Sequence, residues 1–150
     1  MPLPTTYRHA TRDWRAFLAD AKDEMGLSSD NSAYTAVQGV LLTFRRRLTP
    51  EQGLAFADQL PAVLRAIFVA DWDISQPPSP WADRTTLTSE AKALRPHHNL
   101  TPDNAIAATA RALRTHVRRA DFDRMLATLP PEARTFWHVE GAEKITRRIT

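Results

Sequence analysis

The sequence predicts an all-α fold, a single bundle of about eight helices. Apolar residues recur at intervals of three and four along most of the 150 residues, which is the period of a helix with one buried face. No segment shows the strict alternation of apolar and polar residues that is typical of strands. Hydrophobic residues make up 43% of the chain, enough to form the core of one domain of this length. We therefore predict a single domain over residues 1–150.

The first two predicted helices are long and amphipathic. The first spans about residues 13–25, and Gly26 follows it at the position where a left-handed residue commonly ends a helix. The apolar stripe of this helix consists of Trp14, Phe17, Leu18, Ala21 and Met25. The second spans about residues 32–47, with Asp30 or Asn31 expected as its N-cap.

The third and fourth predicted helices are shorter and are separated by a proline. Thr49 caps the third helix, Pro50 occupies its first position, and Gln52 completes a capping box. Pro61 ends this helix and begins the fourth. The residues of the fourth helix expected to point inward are Leu64, Ile67 and Phe68.

Residues 71–86 form a proline-rich connection that also carries two tryptophans, and four further helices follow it. The fifth is short, covers about residues 87–94 and is stopped by Pro96. The sixth begins at Thr101 and carries an apolar stripe that reaches Val117. The seventh lies around residues 122–129, and the eighth follows Pro130. Residues 139–150 are expected to form a tail.

The chain contains an internal repeat. Residues 117–137 align with residues 48–68 without a gap, and this alignment pairs the Leu60-Pro61 junction with Leu129-Pro130. We therefore predict two degenerate four-helix repeats, at about residues 11–70 and 87–138, that pack face to face around one core. Two copies are too few for a solenoid, in which each repeat contacts only its neighbours.

Two segments of the first half resemble a known family. They are Phe44-Arg45-Arg46-Arg47-Leu48-Thr49-Pro50-Glu51 and Gln59-Leu60-Pro61-Ala62-Val63-Leu64-Arg65-Ala66-Ile67-Phe68, which Trp72 follows. They resemble the bacterial family catalogued as domain of unknown function 2267, and the resemblance covers about residues 7–138. It implies an all-helical bacterial protein, and it brings no established activity, catalytic residue or ligand.

Most of the basic residues are arginines, and their abundance suggests a phosphate-binding surface. The net charge is only +3, and its surplus lies in residues 111–150, which carry 9 basic and 5 acidic side chains. The guanidinium group suits phosphate because it donates two parallel hydrogen bonds. Three of the candidates are expected to share one arc of the sixth helix, opposite its apolar stripe: Arg111, Arg114 and Arg118. The others are Arg45, Arg46, Arg47, Arg119, Arg147 and Arg148. The alternative, which we favour because the net charge is small, is a set of solvated helix faces.

Other candidate sites are sparse. Trp72 and Trp81 could line a ligand pocket near the proline-rich connection, although we favour a role as anchors of that loop. The five histidines are His9, His97, His98, His116 and His138, and none has a second metal ligand at a useful spacing. His116 is expected to be a partly exposed helix residue. We expect no metal and no cofactor, and the sequence contains no catalytic motif.

Composition also limits location and function. The chain has no cysteine, no secretion signal and no apolar run long enough to span a membrane, so we expect a cytoplasmic protein without a membrane partner. Our leading hypothesis is a noncatalytic module that binds a partner protein, or a second copy of itself, through apolar surface left where the repeats meet. The alternatives are nucleic-acid binding through the arginines, and a small-ligand protein or enzyme with a pocket near Trp72 and Trp81.

Overall fold

A computed structural model describes residues 3–95 and 100–145 of the chain. Across those two ranges every regular element is helical and no strand occurs, which confirms the predicted all-α bundle. One turn of 3-10 helix follows the last α-helix, at Ala142–Lys144. The α-helices are α1 Thr5–Arg8, α2 Ala10–Met25, α3 Asp30–Arg45, α4 Pro50–Ala57, α5 Ala62–Val69, α6 Arg84–Lys92, α7 Ala105–Thr115, α8 Arg119–Leu126 and α9 Pro131–Trp137. The eight predicted helices correspond to α2–α9.

The predicted C-terminal end of α2 and the predicted start of α4 are confirmed. Gly26 follows α2 with a φ of 68°, a left-handed conformation that glycine adopts without steric cost. Thr49 Oγ1 accepts a hydrogen bond from the Gln52 backbone N–H at 3.2 Å, and Gln52 Oε1 accepts one from the Thr49 N–H at 2.9 Å. This reciprocal pair is a capping box, so the local sequence alone fixes where α4 begins.

Two predicted helix starts were wrong because a polar side chain that lies earlier in the chain caps the helix. Ser29, rather than Asp30 or Asn31, caps α3, and its Oγ accepts the Ser32 N–H at 3.1 Å. Asp83 caps α6 by accepting the Thr86 N–H at 2.8 Å. The helix therefore begins at Arg84, and the proline-rich connection ends earlier than predicted.

The predicted extent of the sixth helix, α7, was also wrong at both ends. The Ala105 N–H donates to the Pro102 carbonyl at 3.1 Å, which closes a turn and delays the helix to Ala105. At the other end α7 stops at Thr115, before the predicted end of its apolar stripe at Val117. Val117 is still buried, since it lies in the connection to α8.

Six aromatic side chains form the centre of the core, and both halves of the chain supply them. Each is at most 2% exposed. Phe56 of α4 lies 4.7 Å from Phe44 of α3, 5.9 Å from Phe122 of α8 and 5.3 Å from Trp137 of α9, measured between ring centroids. These distances are typical of favourable aromatic pairs. The members of this aromatic cluster are Phe44, Phe56, Phe68, Phe122, Phe136 and Trp137.

The helices of the two halves also pack directly on one another. α2 lies against α7, α3 and α5, and α3 lies against α6. At the α3–α6 contact a β-carbon on Gly39 would come within 2.4 Å of the Ala91 carbonyl oxygen, so the two backbones meet there without a side chain between them. Glycine is therefore required at this position for the helices to approach so closely.

Matching element boundaries support the predicted repeat. The ungapped alignment pairs the first and last residues of α4 with those of α8, and both helices are eight residues long. Leu60 and Leu129, which the alignment also pairs, are both buried three residues beyond the ends of these helices. The descent of the two halves from one repeated unit stays a prediction.

Replacing Phe56 by alanine tests the aromatic cluster. The substitution removes the ring that contacts aromatic partners in both halves, so the free energy of unfolding should fall by about 3–5 kcal/mol. Urea denaturation followed by circular dichroism measures the change. Leu54, which lies on the same helix and is 59% exposed, provides the control, since Leu54→Ala should cost less than about 0.5 kcal/mol. Equal losses in the two variants would contradict this account of the core.

Candidate functional site

Arg45, the last residue of α3, forms hydrogen bonds with the C-terminal end of α5. Its Nη1 donates to the carbonyl oxygens of Phe68 at 2.9 Å and Ala70 at 2.8 Å, and its guanidinium lies 5.4 Å from the ring centre of Trp72. Burial and the neighbouring charge of Arg46 lower the pKa of Arg45. The carbonyl groups at a helix end lack partners within the helix, so a guanidinium there satisfies them.

Arg47 is buried and forms the centre of an ion-pair cluster with Arg46 and Glu90. Only 4% of its side chain is exposed. Both terminal nitrogens of Arg47 contact the Glu90 carboxylate, while its Nε donates to the Pro80 carbonyl at 3.2 Å. Arg46 Nη1 lies 3.3 Å from the same carboxylate. The cluster therefore ties the end of α3 both to α6 and to the proline-rich connection.

The expectation that Arg111, Arg114 and Arg118 share one solvent-facing arc of the sixth helix was wrong. Arg118 lies beyond α7 and is the N-cap residue of α8. Arg114 is buried, because its Nε donates to the Trp137 carbonyl at 2.9 Å and its Nη1 to Asp123 at 3.1 Å. Arg111 remains partly exposed and donates to the Glu140 carbonyl at 2.8 Å.

Five of the seven predicted phosphate-binding arginines in the described residues donate to backbone carbonyls. They are Arg45, Arg47, Arg111, Arg114 and Arg119, the last of which contacts the Glu143 carbonyl. Arg46 and Arg118 are exposed, and their role in phosphate binding stays a prediction. Arg147 and Arg148 lie outside the described residues.

Trp72 and Trp81 make the contacts expected of loop anchors. The Trp72 ring lies so close to Gly53 of α4 that a β-carbon on that glycine would be 2.1 Å from it, and the ring centroid is 6.1 Å from that of Phe68. Trp81 is half-buried, with its ring 6.0 Å from that of Phe44. Both rings thus hold the proline-rich connection against the bundle, and the pocket predicted beside them stays a prediction.

His116 is buried rather than partly exposed, which corrects its expected environment. Its Nε2 and Oδ2 of Asp20 share a hydrogen bond of 2.7 Å, and its ring meets Phe17 edge-on at 5.9 Å. Since Asp20 and Phe17 belong to α2, the histidine joins α2 to the end of α7. His97 and His98 lie outside the described residues. Within the described part of the chain no cluster of three potential metal ligands occurs.

A surface groove between α2, α3 and α5 was not predicted from the sequence. It has a volume of about 850 Å³. Its apolar floor consists of one buried leucine, Leu18, and four half-buried side chains, Trp14, Tyr34, Val63 and Ile67. Trp14 and Tyr34 meet edge-on, with their ring centroids 6.2 Å apart. The sequence placed Trp14 and Ile67 on buried stripes, but it could not show that the neighbouring helices cover them only in part.

One edge of this groove is a single face of α2. Thr11, Arg15, Ala19 and Lys22 recur there every three or four residues, so they lie on one side of the helix. Ala19 is exposed and small, which leaves the middle of the groove open. Lys22 closes one end, where its Nζ lies 2.9 Å from Asp30 Oδ1 at the start of α3. The other end is open and basic.

A comparison with protein-family models identifies the family. The model described as "Uncharacterized conserved protein (DUF2267)" matches residues 14–136. The chain belongs to the DUF2267 family. This confirms the resemblance seen in the sequence, and the family description assigns no activity. The DUF2267 match includes both halves of the bundle and the five residues of the groove floor. No curated protein matched the chain.

The DUF2267 bundle has no spanning segment in the part of the chain that the structure describes, since none of its helices combines the length and hydrophobicity that a bilayer requires.

The contact between Gly53 and Trp72 predicts that the effect of Gly53→Ala on the free energy of unfolding depends on whether Trp72 is present. Gly53→Ala in the wild-type chain should lower the free energy of unfolding by about 1–3 kcal/mol, because the new β-carbon displaces the indole. In a Trp72→Ala background the clash is absent, so the same change should instead stabilise by about 0.5–1 kcal/mol through helix propensity. Urea denaturation of the four proteins gives both values. A cost that is equal in the two backgrounds would show that Trp72 does not occupy this position.

The Arg47–Glu90 pair predicts a pH-dependent contribution to stability. Burial alone would raise the pKa of Glu90, but the hydrogen bonds and charges of Arg47 and Arg46 outweigh it, so this pKa lies below its usual 4.5. The stabilisation is therefore fully present above 4.5 and is lost as the pH falls through the lower pKa of the folded state.

Glu90→Gln measures this contribution. The difference in free energy of unfolding between the wild type and the variant should be largest near neutral pH and should shrink in acid, where Glu90 is protonated. Denaturation over a pH series checks this, with Glu132→Gln as the control because Glu132 is exposed. A difference that stays constant down to about pH 3 would contradict the assigned role of Glu90.

Proposed function

We propose that this protein is a noncatalytic module that binds an amphipathic helical segment of a partner protein in the α2–α3–α5 groove. The observation that carries the proposal is the half-buried apolar floor, in which Trp14, Tyr34, Val63 and Ile67 remain accessible between three helices. Half-buried aromatic and aliphatic side chains that line an open groove are typical of surfaces that receive the apolar face of a helix.

The dimensions of the groove fit a short helix. Its α2 edge runs from Thr11 to Lys22, which at the rise of an α-helix spans about 16 Å. A helical segment of about three turns has this length and presents apolar residues at positions i, i+3, i+4 and i+7. The exposed Ala19 at the middle of the edge leaves room for the larger side chains of such a segment.

The chemistry of the lining favours binding rather than catalysis. Its charged groups are Arg15 and the paired Lys22 and Asp30, and its other polar side chains are Thr11, Asn31 and Tyr34. This set lacks a nucleophile held by a neighbouring base, which is the arrangement that covalent catalysis requires.

A partner protein fits the groove better than a second folded copy of this chain. The exposed large apolar residues in the described part of the chain are Leu3, Tyr7, Leu54, Ile74 and Leu100. Leu3 and Tyr7 lie four residues apart at α1, which is a single turn, whereas Leu54 lies on α4 as a single side chain, and Ile74 and Leu100 lie in loops. Within residues 3–95 and 100–145, a second copy therefore offers no helix of about three turns with an exposed apolar stripe, which is what the groove would receive.

Selection from a displayed library of random 16-residue peptides tests the proposal, because it requires no named partner. The wild-type protein should enrich peptides with apolar residues at helical spacing. These peptides should bind the groove variant Ala19→Gln/Val63→Gln at least tenfold more weakly, because two amides then occupy the apolar floor and its edge. The matched control is Leu54→Gln/Ala120→Gln, which makes the same types of change at exposed positions of α4 and α8.

Three results would overturn this function. One is a selection that enriches no peptides, and another is enriched peptides that bind both double variants equally. The third is a wild-type dimer in sedimentation equilibrium that the groove variant converts to a monomer, because the occupant would then be a second copy.

A further inference from the structure

The charges of α2 are segregated around the helix axis. Arg15 and Lys22 line the groove, while Asp20 bonds to His116 and the Glu24 carboxylate lies 4.0 Å from Arg111 of α7. The acidic side of α2 therefore faces the second half of the bundle. The groove consequently meets solvent along the basic side of the same helix.

Three arginines cluster where the groove opens at the start of α2. Arg8, Arg12 and Arg15 line a shallow depression of about 450 Å³, which shares Thr11 and Arg15 with the groove. All three side chains are exposed. We call Arg8, Arg12 and Arg15 the basic end of the groove.

The basic end differs from the other arginine clusters in having few partners. The side chains of Arg8 and Arg15 make no hydrogen bond or ion pair within residues 3–95 and 100–145, and the Arg12 side chain lies 4.0 Å from a single carboxylate, that of Asp13. By contrast, Arg45, Arg47 and Arg114 are held by carbonyls and carboxylates of the bundle. The guanidinium groups at the basic end are thus available to an external anion.

The opposite end of the groove carries no excess positive charge, because Lys22 is paired with Asp30. The groove is therefore apolar along its floor, positive at one end and close to neutral at the other. Complementary charges at an interface raise the association rate and determine which partners and orientations are accepted. Three neighbouring cations, one at the end of α1 and two within the first two turns of α2, also repel one another, and carboxylates from a partner would relieve that repulsion.

We propose that the groove selects amphipathic helices whose acidic residues lie at the end that contacts Arg8, Arg12 and Arg15. This inference rests on the proposed function, because it names the chemistry of the helix bound at the same site. An acidic helix is favoured over a nucleic acid because the basic end adjoins an apolar floor, which a phosphate backbone would not fill. The acidic residues also fix the direction in which the helix lies.

The test uses one synthetic peptide taken from the library selection and two derivatives. The acidic peptide keeps all of its acidic residues. In the amide peptide they are changed to glutamine or asparagine, and in the lysine peptide they are changed to lysine. Fluorescence anisotropy gives the three dissociation constants at about 50 mM and about 300 mM salt, where screening differs strongly. The acidic peptide should bind about tenfold more tightly than the amide peptide at low salt and should lose most of this advantage at high salt. The lysine peptide should bind most weakly.

A charge reversal of the protein provides the complementary measurement. Arg12→Glu/Arg15→Glu should reverse the order, so that the lysine peptide binds most tightly. The fold should tolerate this change, because both residues are exposed and Arg12 lies in the first turn of α2, where an acidic residue is favourable. Arg118→Glu/Arg134→Glu is the matched control, since it changes the net charge equally at two exposed positions of the second half and should leave the order unchanged.

The outcomes separate this inference from the function on which it rests. If peptides bind the groove but the acidic, amide and lysine forms bind equally, the acidic preference is overturned and the helix-binding function stands. The preference is also overturned if the control variant changes the order as much as Arg12→Glu/Arg15→Glu does. Binding of a 20-nucleotide single strand that depends on Arg12 and Arg15, without any acidic peptide preference, would assign the basic end to nucleic acid instead. If no peptide depends on the groove, the proposed function itself fails.

Discussion

The packing of aromatic rings from both halves around Phe56 is the constraint on which the rest of the structure depends. Phe56 meets Phe44 and Phe68 from its own half, and Phe122 and Trp137 from the other. Because the rings interlock across the two halves, neither half encloses a core alone. The same arrangement directs the core face of α2 toward α7 and leaves its other edge beside α3 and α5. The groove is the surface that remains uncovered there.

Arginine has a structural role that explains much of its abundance. Arg45 donates to the Phe68 carbonyl at the end of α5, and Arg114 donates to the Trp137 carbonyl at the end of α9. The repeat alignment, extended without a gap, pairs Arg45 with Arg114 and Phe68 with Trp137, so the two halves share this contact. A guanidinium suits such positions because its fork can reach several carbonyls while its charge complements the negative end of the helix dipole. This use separates the structural arginines from those at the basic end.

The sequence predicted most of the fold because periodicity and caps are local. The capping box at Thr49 and the glycine after α2 were correct, whereas Ser29 and Asp83 were missed among several polar residues able to cap. The groove was not predicted, since helical spacing shows that Trp14 and Ile67 face other helices but not how completely those helices cover them. The segregation of basic and acidic residues on α2 was visible in the sequence and could have indicated the basic end. The burial of Arg114 was not predictable, because its acceptor, the Trp137 carbonyl, is remote along the chain.

The proline-rich connection has a practical consequence. Its residues from Asp73 to Pro78 are exposed, and Trp72 and Trp81 hold the chain to the bundle on either side of them. A break in the backbone there would leave every helix intact, yet each fragment would expose half of an aromatic cluster that only the other fragment can cover. The two fragments are therefore suited to reconstitution from separate chains, because each should fold only when it binds the other.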